Sequence, residues 1–178
     1  MKFIETNLKG AYIIEIEPIC DDRGFFARSW CQGEFSDRGL NSNFVQSNIS
    51  FNTKKATLRG MHYQVKPHEE AKLVRCNRGS IYDVIVDIRP DSATFKSWIA
   101  IELSAENCKM LYIPEGFAHG FQTLEDNTEV FYQMSNFYHP ESSKGIRWDD
   151  PIFAIDWLLT ENLIISIKDR QYPLFEDL

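Results

Sequence analysis

Residues 58–75, LRGMHYQVKPHEEAKLVR, bring an imidazole, a guanidinium and an ammonium onto two short strands joined by a turn. Imidazole titrates near neutrality, so His62 is a candidate proton-moving base. The same residue also reads as the remnant of a metal site or as an ordinary half-buried ring. Lys72 alternates with Val74 and Cys76, an odd row for an ammonium unless it sits at a strand end and reaches outward along its stem. Tyr132, in TEVFYQMSNF, alternates with Val130 and Met134, so its ring is expected to point inward and its hydroxyl needs a partner. In NFVQSNIS, Phe44, Gln46, Asn48 and Ser50 share a row suited to the wall of a wet cavity, opposite Val45, Ser47 and Ile49. Arg59 lies three residues from His62, and an undistorted strand sends the two to opposite faces. A bulge at Gly60 would re-aim one of them; otherwise Arg59 reaches a rim or a neighbouring subunit.

The elements that must carry these groups are strands. Period-two alternation, punctuated by turn residues, predicts an all-β antiparallel sandwich or barrel. Strands are expected at 11–17, 44–51, 57–64, 72–76, 110–113 and 128–138, and within SIYDVIVDIRP and WIAIEL. SIYDVIVDIRP sets Tyr82, Val84, Val86 and Ile88 on one face and Ile81, Asp83, Ile85 and Asp87 on the other, so its second face mixes apolar with acidic positions. Turns are expected at DDRG (21–24), KPHEE (66–70), NRG (77–79), RPDS (89–92), SAEN (104–107), PEG (114–116) and LEDN (124–127). GEFSDRGL is the one early helical candidate. Beyond HPESSKG the pattern loosens into loops and short helices laid over the same body.

The 178 residues suit a single domain spanning 1–178, without repeats or linkers. A net charge of −7 argues against nucleic-acid binding, so an anionic ligand must meet local cations. No apolar run reaches the length a membrane helix needs, about 20 residues. The charged start MKFIETNLKG lacks the pattern of a signal peptide, and a cytoplasmic location is expected. Cysteines 20, 31, 76 and 108 form no C-x-x-C pair and read as reduced packing thiols.

LYIPEGFAHGFQ contains Pro114, Gly116 and His119 as P-x-G-x-x-H, which resembles the second signature of the cupin barrel. The metal set of that superfamily is broken here. Lys72 stands seven positions before Gly79, where a glutamate ligand belongs, and Gln64 stands two after His62. An ammonium there repels a divalent ion. His68, in the polar turn KPHEE, reads as a solvated surface residue rather than a substitute ligand. DDRGFFARSW, FVQSNIS, TLRGMHYQ, KLVRCNRGSIYDVIVDIR, EVFYQMSNFYHP, GIRWDDP and ISIKD complete a wider resemblance, to the dTDP-4-dehydrorhamnose 3,5-epimerases.

That resemblance implies a cupin-type antiparallel jelly roll acting on a dTDP-sugar, without metal or organic cofactor. A carbon-4 ketone acidifies the hydrogens on carbons 3 and 5, so inversion needs a base, an acid on the opposite face, and a cation for the enolate oxygen. The resemblance assigns His62 as base, Asp169 as its orienting carboxylate, Tyr132 as acid and Lys72 as enolate stabiliser. It assigns the nucleotide diphosphate to Arg23, Arg59, Lys168, Gln46, Ser47, Asn48 and His119, and base stacking to Tyr138. Arg28 and Ser143 stand where many members have glutamates, with Glu141 a candidate replacement; these departures bear on which sugar or nucleotide is taken. The resemblance also implies a homodimer in which AYIIEIEP adds to the partner's sheet. The rival readings are a 3-epimerase, a 3,4-ketoisomerase, a metal-dependent cupin oxygenase and a non-catalytic nucleotide-sugar binding module.

Overall fold

A computed structural model describes residues 1–177. In chain order the strands are β1 (Lys2–Glu5), β2 (Tyr12–Glu15), β3 (Ile19–Asp21), β4 (Gly24–Phe26), β5 (Gln46–Asn52), β6 (Thr57–Gln64) and β7 (Lys72–Arg78). They continue with β8 (Ser80–Asp87), β9 (Trp98–Ser104), β10 (Met110–Ile113), β11 (Phe117–Thr123), β12 (Thr128–Met134), β13 (Ser143–Gly145) and β14 (Ile164–Ile165). Helix α1 (Gln32–Ser36) follows β4, and α2 (Ile167–Arg170) follows β14. Among the described residues no helix is long and apolar enough to cross a membrane.

Two sheets face one another as an antiparallel jelly roll, the all-β architecture the alternation predicts. One runs β1-β2-β10-β7-β12-β5; the other runs β13-β6-β11-β8-β9, with β14 parallel on β6. Between them Val74, Leu111 and Val130 of the first sheet meet Ile81, Ile85, Leu103, Phe117 and Phe121 of the second. The outer face of the second sheet is covered as well. Leu58, Val84, Val86 and Ala118 pack there under Ile146, Phe153 and Trp157 of the carboxy-terminal segment. This double cover explains β8, whose two apolar rows each have a layer to bury them, while Asp83 and Asp87 are held inside by partners of their own.

On the outer face of the first sheet, Phe35 of α1 is fully buried against Ile14, Leu73, Met110 and Tyr112. Burying that ring contributes about 2–3 kcal/mol. A five-residue helix without a side-chain cap depends on it, because isolated helices this short are not stable.

Several boundaries differ from the expectation. β11 was not anticipated: all of its residues are buried, so FAHGFQT carries no polar row to mark alternation. β12 stops at Met134, short of 138, and β5 begins at Gln46 rather than 44. DDRG does turn, and it joins the hairpin β3–β4, which pairs with neither sheet. β2 is bonded on both sides within its own chain, to β1 and β10. Within the single chain AYIIEIEP is thus bonded on both sides, and β1 is the strand at that edge of the sheet.

The parity problem at Arg59 and His62 resolves as a bulge. His119 faces His62 and Phe121 faces Arg59, so three steps along β6 match two along β11. Gly60 sits there at φ +141°, and a Cβ on it would stand 2.5 Å from the Gly120 Cα. Only glycine fits both the angle and the gap.

Candidate active site

The bulge turns Arg59 and His62 into the same cavity, a space of about 680 Å³ between the two sheets. The first sheet contributes Gln46 and Asn48 from β5, Lys72 from β7 and Tyr132 from β12; the second adds His119 from β11. Tyr138 and Lys168 reach it from the segments beyond β12 and β14.

His62 is half-buried. Its Nε2 lies 2.9 Å from Asp169 Oδ1, which leaves Nδ1 as the nitrogen free to take a proton. Asp169 is placed by the short helix α2, where the Ser166 hydroxyl accepts from the Asp169 backbone N–H at 3.0 Å. Its second oxygen accepts from the Gly60 N–H at 3.3 Å, so bulge and dyad share a hydrogen bond. Burial pushes the Asp169 carboxyl up, but the His62 contact, the Gly60 N–H bond and the Ser166 hydroxyl beside the carboxyl together hold it below the usual aspartate value. The edge of Tyr172 meets the His62 ring at 5.7 Å between centroids and 71° between planes. Gly145, paired with His62 across β13 and β6, admits that ring, since a Cβ there would lie 2.3 Å from it.

Tyr132 is half-buried in the same wall. Burial raises its phenol above the usual value, Glu70 and Tyr138 push the same way, and Arg59 pulls it back. The hydroxyl therefore keeps its proton at neutral pH, as an acid must. Lys72 does not reach outward along its stem. Its side chain is 10% exposed and its Nζ lies 2.9 Å from Glu70 Oε1, an oxygen of a carboxylate buried within what the sequence presents as a polar turn. The other Glu70 oxygen has no hydrogen-bond partner among the described residues.

Around these groups lie the polar side chains suited to a nucleotide. Arg59 donates through Nε to Asn52 Oδ1 at 2.7 Å, which aims the rest of its fork. His119 Nε2 lies 2.7 Å from Asp83 Oδ1, forming a second imidazole–carboxylate pair that is buried throughout. Gln46 accepts from the Tyr138 backbone N–H at 3.0 Å and donates to Asn48 at 3.2 Å, tying the base-stacking candidate to β5. The bond from Lys168 to the Tyr172 hydroxyl raises the ammonium above its ordinary value.

Two expected ligands are not brought in. Ser47 points away from the cavity, on the outer row of β5, as its parity requires. Arg23 sits at the tip of the β3–β4 hairpin, its side chain 90% exposed and paired with Asp21. Of the two departures, Ser143 lines the cavity, whereas Arg28 lies outside it and pairs with Glu34 at 2.8 Å. Glu141 does not replace the missing carboxylate, because it turns to His139 Nδ1 at 3.1 Å instead. Sequence reasoning missed Glu70, Asp83, Tyr172 and Asn52 as site residues. Only Asp83 carried a signal, an acid alternating with isoleucines.

The family model described as dTDP-4-dehydrorhamnose 3,5-epimerase matches residues 5–177. A dTDP-4-dehydrorhamnose 3,5-epimerase of Methanothermobacter thermautotrophicus is 46% identical, over 99% of this chain and 96% of its own. The crystal structure of the enzyme of that name from Elizabethkingia anophelis superposes with a TM-score of 0.97 at 42% identity, covering 99% of this chain and 97% of that one. A Legionella pneumophila dTDP-6-deoxy-D-glucose-3,5-epimerase, solved with dTDP-4-keto-L-rhamnose, gives 0.91 at 40% identity, over 97% of this chain and 92% of its own.

Proposed function

This chain belongs to the dTDP-4-dehydrorhamnose 3,5-epimerase family, a family of isomerases on the cupin-type jelly roll, and we propose that its cavity inverts carbons 3 and 5 of dTDP-4-dehydro-6-deoxy-D-glucose. The observation that carries the reading is the convergence of His62, Tyr132 and Lys72 on one cavity, with Asp169 bonded behind the histidine. His62 takes the proton from the carbon beside the ketone, and the imidazolium so formed rests against the Asp169 carboxylate. The electrons move to the carbon-4 oxygen as an enolate, which the Lys72 ammonium stabilises. Tyr132 returns a proton to the opposite face, and a second round treats the other carbon. The electrophile is a side chain, so neither step requires a metal or an organic cofactor.

Arg59 and Lys168 supply positive charge for the diphosphate within an acidic protein, with His119, Gln46 and Asn48 beside them. We assign Arg23 to the same task by way of a homodimer. Its hairpin exposes Ile19, Phe25 and Phe26 at 72%, 57% and 75%, an apolar group that a second copy would cover while receiving the guanidinium. Light scattering at micromolar protein is expected to give twice the chain mass; a monomer would reject the assignment. Four cysteines without disulfides suit the reducing cytoplasm.

The reaction is tested by incubating the protein with dTDP-4-dehydro-6-deoxy-D-glucose in heavy water and following carbons 3 and 5 by NMR. Deuterium at both carbons, with the rhamno product, is the expected result. Exchange at carbon 3 alone would reduce the activity to a single inversion, and exchange at neither would remove it.

A further inference from the structure

A second group of chemistry-bearing side chains lies outside the cavity wall. His68 belongs to the turn after β6, and His139 and Glu141 to the segment before β13. The buried Gln64 amide holds both histidine backbones, accepting from the His139 N–H at 2.6 Å and donating to the His68 carbonyl at 2.8 Å. The two segments are also joined by Val65 N–H to the Ser142 carbonyl at 3.0 Å. His68 is thus no freely solvated turn residue: its ring stacks on that of His139 at 3.5 Å between centroids and 11° between planes.

We propose that His68, His139 and Glu141 form a binding site for a divalent transition-metal ion, with zinc the best match to the donor set. One donor atom from each lies within 4.8 Å of the others. His139 Nδ1 and Glu141 Oε1 stand 3.1 Å apart. Two donors bound to one zinc ion at about 2.0–2.2 Å, with angles between octahedral and tetrahedral, are separated by about 3.0–3.4 Å. His68 Nδ1 is engaged by the Ser142 hydroxyl at 2.8 Å, the kind of outer contact that fixes a ligating histidine and leaves its Nε2 for the metal. The parallel stack sets the condition for uptake. An ion in the plane of one ring lies off the plane of the other, so binding swings one half-exposed imidazole out of the stack.

The site stands apart from the reaction, because His62 and His119 are committed to their own carboxylates inside the cavity. Its segments nevertheless carry Gln64, Tyr138 and Ser143 of the cavity wall, so a bound ion would clip that wall together.

The test is calorimetric titration of tag-free protein with zinc chloride, alongside thermal melts with and without the ion. Wild type is expected to take up one zinc per chain and to melt at a higher temperature with it. His139→Ala and Glu141→Gln are expected to lose both effects, and Ser142→Ala to weaken binding about 10–100-fold. Each variant retains His62 and His119. Absence of zinc binding to wild type, or undiminished binding in His139→Ala and Glu141→Gln, would overturn the proposal.

Discussion

At the scale of single residues, His62 rests on Asp169, a partner named from the sequence, and Lys72 on Glu70, a partner that was not. His62, Lys72 and Tyr132 were legible through the family resemblance, parity alone having left His62 open and made Lys72 an oddity in its row. Glu70 was not, since an acid in KPHEE has the same letters whether it faces water or closes over an ammonium. Its burial follows from pairing with Lys72, and that pairing exists only once β7 has its partners. Breaking a buried pair leaves a charge without compensation. Glu70→Ala is therefore expected to lower unfolding free energy by about 3–5 kcal/mol, read from the urea midpoint. A Glu70→Leu/Lys72→Met double variant should recover much of that loss while being inactive. If Glu70→Ala is as stable as wild type, the pair is not formed in solution. Ser47 teaches a related lesson. Alternation alone sets it opposite Gln46 and Asn48, and the structure keeps that separation.

At the scale of elements, the site is built by an irregularity. The β6 bulge turns Arg59 inward beside His62 and presents the Gly60 N–H to Asp169. The sequence offered the glycine and the parity conflict, which together indicated a bulge. It could not show that Gly120 presses on the same spot from β11, because that strand has no polar row. Gly60→Ala must place a Cβ at an unfavourable angle against the Gly120 backbone. The expected cost is about 3 kcal/mol or more, a fall of roughly 6–12 °C in melting temperature, with activity lost beyond what the stability change explains. A variant with wild-type stability and turnover would show that the bulge does not position the base. The carboxy-terminal tail was legible as loops and short helices, with Asp169 and Lys168 of ISIKD named through the resemblance. Its role in covering β8 and β11 and in delivering Asp169 through α2 depends on contacts between segments distant in sequence.

For the whole molecule, the all-β class and most strands were legible from alternation, and the excess acidity excluded general polyanion binding. Part of that acidity is structural. Asp87 is fully buried; burial alone would raise its carboxyl, but bonds from Arg89, Ser92 and Thr94 bring it down to about 2 from the usual 3.8. A carboxyl lowered in the folded state adds stability that is complete above its unfolded pKa and disappears as pH falls through the folded one. Asp87 should therefore contribute about 2 kcal/mol at neutral pH, lost between about pH 4 and pH 2. Asp169, shifted the same way, adds to the fall. Urea midpoints measured from pH 6 to pH 2.5 are expected to drop, and less steeply in Asp87→Asn. A flat profile in the wild type would contradict these internal ion contacts. The central claim is that a histidine on one side of the sugar and a tyrosine on the other divide the proton transfer. Its most direct measurement is NMR of dTDP-4-dehydro-6-deoxy-D-glucose in heavy water with Tyr132→Phe and His62→Asn. The account predicts that Tyr132→Phe exchanges deuterium into the substrate with little inversion, whereas His62→Asn slows exchange and inversion together by about 10²–10⁴-fold; inversion at the wild-type rate in either variant would contradict it.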